Sequence, residues 1–154
     1  MKRRNRFDIF RDEQGASLVE MAIVLPLFVL MLFGAVDFGR AYYLAIEVAG
    51  AAQAAAEYGS QNPTDTTGMQ TAAKDDAPAV SLTFPTLSYG CECPDGSSYS
   101  ASCASKPSSC PSSLSVVYRV NVTVQGAYTP IFPWPGIPSS MSIASSASMR
   151  SAGS

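Results

Sequence analysis

Four cysteines are the residues of this sequence whose type and spacing most clearly allow chemistry. They lie close together in a Gly-, Ser- and Pro-rich segment, at Cys91, Cys93, Cys103 and Cys110. An even number of cysteines in an oxidising compartment favours two disulfides. A bond between Cys91 and Cys93 would close a strained ring, so two cross-pairings stay open. The alternative is a zinc site with four thiolates, but the spacing lacks the usual C-x2-C pairs. We therefore expect a disulfide loop over 91–110 and no metal.

Other residues that could catalyse a reaction lack suitable partners. The sequence has no histidine, which removes the commonest general base and the commonest metal ligand. The serines therefore have no base to activate them, and the adjacent Asp75 and Asp76 are typical of a solvated surface. No Gly-rich phosphate loop is present. We predict that the protein is not an enzyme, uses no cofactor and takes no small-molecule substrate.

The charge balance excludes a protein that coats nucleic acid. Five of the ten basic residues lie within the first eleven positions. From residue 16 onward the chain holds five basic residues against nine acidic ones. An extended basic surface for phosphate contacts is therefore missing from most of the chain.

One acidic side chain, Glu20, interrupts an otherwise uncharged apolar run over 18–36. A helix with a rise of about 1.5 Å per residue would cover about 28 Å over this run, close to the hydrocarbon thickness of about 30 Å. The run predicts a transmembrane helix that bends at Pro26. The basic residues before it predict a cytoplasmic N-terminus and an exported C-terminal part. A cleaved secretory signal fits less well, because its apolar core has only about 7–15 residues. A plain signal anchor stays open.

The helical pattern continues beyond the membrane, and we predict one helix from about Ser17 to Tyr58. A heptad-like stripe of mostly small residues supports this extension. The stripe either packs against the chain's own C-terminal part or lets helices of different subunits approach closely. Both can hold on different faces, because Val48, Ala51 and Ala55 form a second small stripe. The first stripe consists of Phe38, Tyr42, Ala45, Ala49, Ala52, Ala56 and Gly59.

The exported part has the pattern of an antiparallel sheet. Apolar and polar residues alternate over 115–125, which predicts a strand with one buried face. Residues 79–84 and 141–150 also have the composition of strands. Residues 60–78 are polar and rich in turn formers, which predicts a loop with one helical turn. The segment 129–138 holds four prolines and predicts a loop.

The fold class predicted by these elements is α+β, with a long N-terminal transmembrane helix continuing into a small antiparallel β head with a disulfide loop. We divide the chain into a cytoplasmic leader (1–15), the transmembrane and extended helix (16–60) and the exported β head (61–154). The head is small and buries little apolar surface, so we expect the disulfides to support it.

The residues at the start of the apolar run resemble the processing site of type IV prepilins. In those proteins a short basic leader ends in Gly, and Glu is the fifth residue after the cut, as Gly15 and Glu20 stand here. The longer segment over 14–60 resembles the TadE-like family, the pseudopilins or minor pilins of the Tad (Flp) pilus assembly system. The further matching residues are Leu25-Pro26, Phe33-Gly34, Asp37-Phe38-Gly39-Arg40 and Glu57-Tyr58.

The resemblance implies a function in pilus assembly. A prepilin peptidase would cut after Gly15, and Ala16 would become the new N-terminal amine. In the pilin family the residue matching Glu20 engages the amine of a neighbouring subunit; the alternative is that Glu20 only reaches the lipid headgroups. Met21 stands where major pilins of this system have an aromatic residue, which favours a minor or accessory function.

The implied partners are the membrane, the peptidase, other pilins or pseudopilins and the assembly machinery. The implied location is the bacterial inner membrane, crossed once with the head exported, or the extracellular pilus. A different class of function stays open, namely an unprocessed membrane-anchored extracytoplasmic module for binding or adhesion.

Overall fold

The computed structural model describes residues 13–101, 103, 110 and 116–151, with side chains from Ser17 onward. The three strands of the described chain form one antiparallel sheet, with β2 in the centre between β1 and β3. The predicted α+β class is therefore confirmed. In chain order the elements are α1 (Glu13–Gln61), α2 (Thr66–Asp76), β1 (Leu82–Glu92), β2 (Val117–Tyr128) and β3 (Met141–Ser151).

Helix α1 is 49 residues long and contains Pro26. It includes the whole predicted helix over 17–58 and ends at Gln61, just before Asn62 and Pro63; proline disfavours helical backbone at the residue that precedes it. The chain divides into two compact units, of which the first ends at Gly39 and the second begins at Arg40. The second half of α1 thus belongs to the same unit as the sheet.

The first unit exposes apolar side chains on every side of the helix. All side chains from 17 to 33 are exposed, including Leu18 at 74% and Ile23 at 72% of their maximum area. An amphipathic helix would instead carry its apolar residues on one stripe. A helix that is apolar all round requires an apolar environment, as a bilayer provides.

The second unit is organised around β2. Val120, Val122 and Val124 are buried, which confirms the predicted alternation. The strand continues to Tyr128, three residues beyond the predicted end. The predicted strand over 141–150 is confirmed as β3.

Strand β1 differs from its prediction at both ends. It begins at Leu82 and continues to Glu92, whereas the predicted strand covered 79–84. The longer strand exists because its residues pair with β2, through Cys91 with Tyr118 to Glu92 with Val117. The first cysteine of the predicted loop over 91–110 therefore lies within the sheet.

A second correction concerns 60–78, where a loop with a single helical turn was expected. Thr66–Asp76 forms a complete helix of 11 residues. Asp65 caps it, because its carboxylate accepts a hydrogen bond from the backbone N–H of Gly68 at 2.9 Å and so satisfies a donor that lacks a helical partner. Met69 and Ala73 are the buried residues of α2 and lie on its inner side.

The core lies between the second half of α1, α2 and the inner face of the sheet, and two glycines allow close packing there. A Cβ at Gly59 would lie 2.8 Å from Val120, and one at Gly126 would lie 2.8 Å from Val48. Helix α1 therefore follows the sheet from the Gly126 end to the other end. The buried cluster comprises Val48, Ala51, Ala52, Ala55, Ala56, Met69, Ala73, Ala77, Val120, Val122 and Val124.

Candidate functional site

The predicted processing residues lie within α1. Gly15 and Ala16 are part of the helix that is described from Glu13. Glu20 follows Ala16 by four residues, which places the two positions on one helical face about 6 Å apart along the axis. The Glu20 side chain is exposed. This arrangement places a carboxylate one turn from the amine that cleavage after Gly15 would create.

Glu20 is the one charged residue of the exposed apolar run over 18–36. A carboxylate at the bilayer centre costs about 2.5–3.5 kcal/mol, and less near the interface. A cationic partner would lower that cost further, because the pair shares the loss of hydration. If this run lies in a membrane, ion pairing is therefore the chemistry that Glu20 would support.

The four alanines predicted for helix packing have different environments. Ala52 and Ala56 are buried in the core of the second unit. Ala45 is half-buried, whereas Ala49 is exposed. For Ala52 and Ala56 the contacts agree with packing against the chain's own C-terminal part. The second stripe, of Val48, Ala51 and Ala55, is buried in the same core.

The cysteines form two disulfides, Cys91 with Cys103 and Cys93 with Cys110. The predicted disulfide loop is thus confirmed, and the structure selects one of the two cross-pairings that the spacing allowed. The paired Cα atoms are 5.6 Å and 5.5 Å apart, which suits an unforced bridge. The loop returns to the sheet edge, where Cys91 and Ser100 exchange backbone hydrogen bonds of 2.8 Å and 2.7 Å.

A buried carboxylate that the sequence interpretation missed belongs to Glu92, which stands between Cys91 and Cys93 in the chain. Glu92 is 2% exposed, and its Oε1 accepts a hydrogen bond from Nη2 of Arg119 at 2.7 Å. Nε of Arg150 lies 3.5 Å from the same oxygen. Arg119 and Arg150 are direct partners across β2 and β3. No local spacing could reveal this cluster, because the three residues meet only when the strands pair.

A cavity of about 410 Å³ opens between α1 and α2. In it the Tyr58 hydroxyl donates a hydrogen bond of 2.8 Å to Asp65, which raises the pKa of Tyr58. The hydrogen bond from the Gly68 N–H, and then that from Tyr58, lower the pKa of Asp65. The carboxylate is therefore engaged in capping α2, and no nucleophile with a base is seen at this cavity. It is lined by Tyr58, Asp65, Thr67, Gly68, Thr71, Ala72 and Asp75.

These features define a class of protein before any comparison. Within the described chain, one helix is long and apolar enough to cross a membrane, and its most apolar window has a mean hydropathy of 2.4 and no buried surface. The described residues hold no group of His, Cys, Asp or Glu placed to bind a metal ion. The class is an α+β protein with a candidate single-pass membrane helix and a disulfide-bonded antiparallel sheet.

The comparison with protein families agrees with this class. Residues 15–57 match the family model of TadE-like proteins, which confirms the resemblance seen in the sequence. The match associates the chain with pilin-like proteins of the Tad pilus. It begins at Gly15, includes the apolar run and ends within α1, so it does not include α2 or the sheet. No curated protein and no solved structure matches the chain.

Proposed function

We propose that the protein is a bitopic inner-membrane pseudopilin or minor pilin that takes part in assembly of a Tad (Flp) pilus. It acts by lateral packing of its helix and performs no catalysis. The observation that carries this proposal is that the segment matching TadE-like proteins contains the exposed apolar part of α1. The match to TadE-like proteins over 15–57 contains the helical residues 17–33, all of whose side chains are exposed. Such a surface is stable in lipid or against other apolar helices.

The direction of insertion follows from the basic residues that precede the apolar run. They hold the N-terminus in the cytoplasm by the positive-inside rule, and the β head is exported. Two disulfides in the second unit support this assignment, because disulfides persist in the periplasm and outside the cell and are rare in the cytosol.

Cleavage by the prepilin peptidase after Gly15 then prepares the helix for assembly. The new amine of Ala16 pairs with Glu20 of a neighbouring subunit, which lowers the desolvation cost of both charges and sets the axial register of the two helices. The close spacing of Ala16 and Glu20 along α1 supports this pairing, since a small axial shift between two parallel helices brings the two groups together.

The surface for lateral packing includes the exposed part of the alanine stripe. Ala49 is exposed, and Tyr42 and Ile46 keep 70% and 52% of their surface accessible. Ala52 and Ala56 are already buried within the second unit, so they support the fold of each subunit. Contacts between subunits therefore concentrate on α1 up to Ala49.

Replacement of Glu20 tests the pairing. Glu20→Ala should insert into the membrane like the wild type, because it makes the segment more apolar, and it should fail to support pilus assembly. The matched control is Asp75→Ala, which removes an exposed carboxylate from α2, outside the residues that match the family model, and should assemble normally. Pili are counted by electron microscopy, and insertion is measured by carbonate extraction. Normal piliation of Glu20→Ala would contradict the proposed pairing.

A further inference from the structure

The loop between β2 and β3, residues 129–138, exposes apolar side chains on the surface of the second unit. Ile131, Phe132 and Ile137 keep 59%, 41% and 46% of their surface accessible. The Phe132 and Trp134 rings lie 5.6 Å apart in a tilted arrangement. The loop contains no charged residue. It is therefore an exposed apolar and aromatic surface at one end of the sheet.

The backbone holds this surface in a defined conformation. Four of the ten loop residues are proline, which restricts the backbone in the unfolded chain and lowers the entropy cost of ordering. Trp134 and Ile137 close a turn, in which the Ile137 N–H donates to the Trp134 carbonyl at 3.2 Å. Gly136 has a φ of +87°, the conformation that a type II turn requires at this position. The loop thus keeps its apolar residues outward.

The loop lies at the end of the sheet where α1 enters the second unit. It follows Tyr128, whose ring centre is 6.0 Å from the guanidinium carbon of Arg40. Arg40 is the first residue of this unit. The disulfides lie at the opposite end, because Cys91 pairs with Tyr118. The ten residue-to-residue steps from Tyr118 to Tyr128 separate the two ends by about 33 Å.

Chain length places this end of the second unit close to the membrane surface if residues 18–36 span the bilayer. Arg40 follows that run by four residues, which reach at most about 14 Å even when fully extended. At the same end, Tyr42 and Tyr43 keep 70% and 62% of their surface accessible. Tyr and Trp are enriched where proteins cross the interface between lipid and water.

We propose that the loop over 129–138 inserts its apolar side chains into the interfacial layer of the bilayer that α1 spans. The partner is a phospholipid surface, because the loop is apolar, aromatic and uncharged and its position is within chain reach of the bilayer. The inference rests on the proposed membrane insertion. It gives the second unit a point of attachment to the bilayer in addition to α1. The loop must leave the lipid before the subunit can move into a fibre.

Trp134 is the sole tryptophan of the sequence, so its fluorescence reports directly on this loop. The full chain, reconstituted in phosphatidylcholine and phosphatidylglycerol vesicles, is compared with the same chain in vesicles whose acyl chains carry bromine near the headgroups. We expect blue-shifted emission, loss of most of its intensity in the brominated vesicles and little quenching by aqueous iodide. The variant Ile131→Ser/Ile137→Ser should weaken quenching by brominated lipid, and protease resistance checks that it is folded.

The matched control moves the tryptophan to the other end of the sheet, in the variant Trp134→Phe/Tyr99→Trp. Tyr99 is 45% exposed beside the disulfides, so the relocated tryptophan should be quenched by iodide and not by brominated lipid. If Trp134 behaves like this control while the protein resists carbonate extraction, the loop proposal is overturned and the membrane anchor stands. Blue-shifted emission insensitive to both quenchers would indicate burial against protein and would also overturn it. Release of the protein by carbonate would overturn the anchor and the loop proposal together.

Discussion

Replacing Glu92 by glutamine should destabilise the second unit more than replacing its more distant partner, Arg150, by glutamine. The Glu92 side chain is 3% exposed, and Arg119 donates to it at 2.7 Å. Arg150 lies 3.5 Å away and is a direct cross-strand neighbour of Arg119. Glutamine keeps the shape of the side chain but removes its charge. Two guanidinium groups would then face each other across β2 and β3 without the carboxylate between them.

The magnitude depends on how easily the arginines regain water. Removal of one partner from a fully buried ion pair costs about 3–5 kcal/mol. Here the arginine side chains are 31% and 55% exposed, so part of their hydration is retained, and we expect about 2 kcal/mol for Glu92→Gln. Arg150→Gln should cost about 0–1 kcal/mol, because its contact is longer and more exposed.

Pulse proteolysis in urea measures this difference on the full oxidised chain in detergent, because it reads the folded fraction of the second unit without a signal from the apolar run over 18–36. With a urea dependence of about 2 kcal/mol per molar, the midpoint for Glu92→Gln should fall by about 1 M. Arg150→Gln serves as the control, with a midpoint close to that of the wild type. Equal midpoints for the two variants would refute the assignment of Glu92 as the centre of this cluster.

Three further predictions concern the disulfides, the core and the cap of α2. Thiol labelling of the unreduced protein should find no free cysteine, and two labelled thiols would contradict the pairing. Each bridge should contribute about 3 kcal/mol by loop entropy, so reduction should make the second unit protease-sensitive. Gly126→Ala should cost about 1–3 kcal/mol in pulse proteolysis, because its Cβ would meet Val48 at 2.8 Å; Gly39→Ala, which has open space around its Cβ, should not lower the midpoint. Asp65 should stabilise the fold at neutral pH. It should lose this effect as the pH falls below 3.8, the ordinary pKa of the group, and then through the lowered pKa of Asp65 in the folded state. The urea midpoints of wild type and Asp65→Ala should therefore converge in acid, and a constant difference would contradict the capping interaction.

The elements that could be predicted from the sequence are those whose pattern reflects their environment directly. The residues of β2 alternate because one face of the sheet is buried. The exposed side chains of the run over 18–36 are apolar on all sides of the helix, as a helix in an apolar environment requires. Helix α2 could not be predicted in this way. Its residues are mostly polar, and its formation depends on the Asp65 cap and on burial of Met69.

Only part of the candidate site could be predicted from the sequence. The processing residues and the cysteines are close in sequence, so spacing alone identifies them. The Glu92 cluster joins three different strands, and β1 continues through Pro85 and Gly90 despite their low strand preference. Pro85 lies at the register irregularity between Thr83 and Thr86, where a proline is tolerated, and Gly90 is held by its pairing with Arg119 of β2. Tertiary pairing of this kind leaves no periodic signal in a single sequence.

The N-terminus of the protein purified from membranes of cells that express the pilus peptidase tests the central claim most directly. Cleavage after Gly15 would remove five basic residues, each of which would bind an anionic inner leaflet with about 1 kcal/mol. Under the proposed function, their removal would let the helix leave the bilayer for a fibre at lower cost. We predict that Edman sequencing starts at Ala16 and that Gly15→Leu stays unprocessed, since only glycine lets the backbone approach the peptidase closely. Wild-type protein that starts at Met1 or Lys2 would contradict this account and leave an unprocessed membrane anchor in its place.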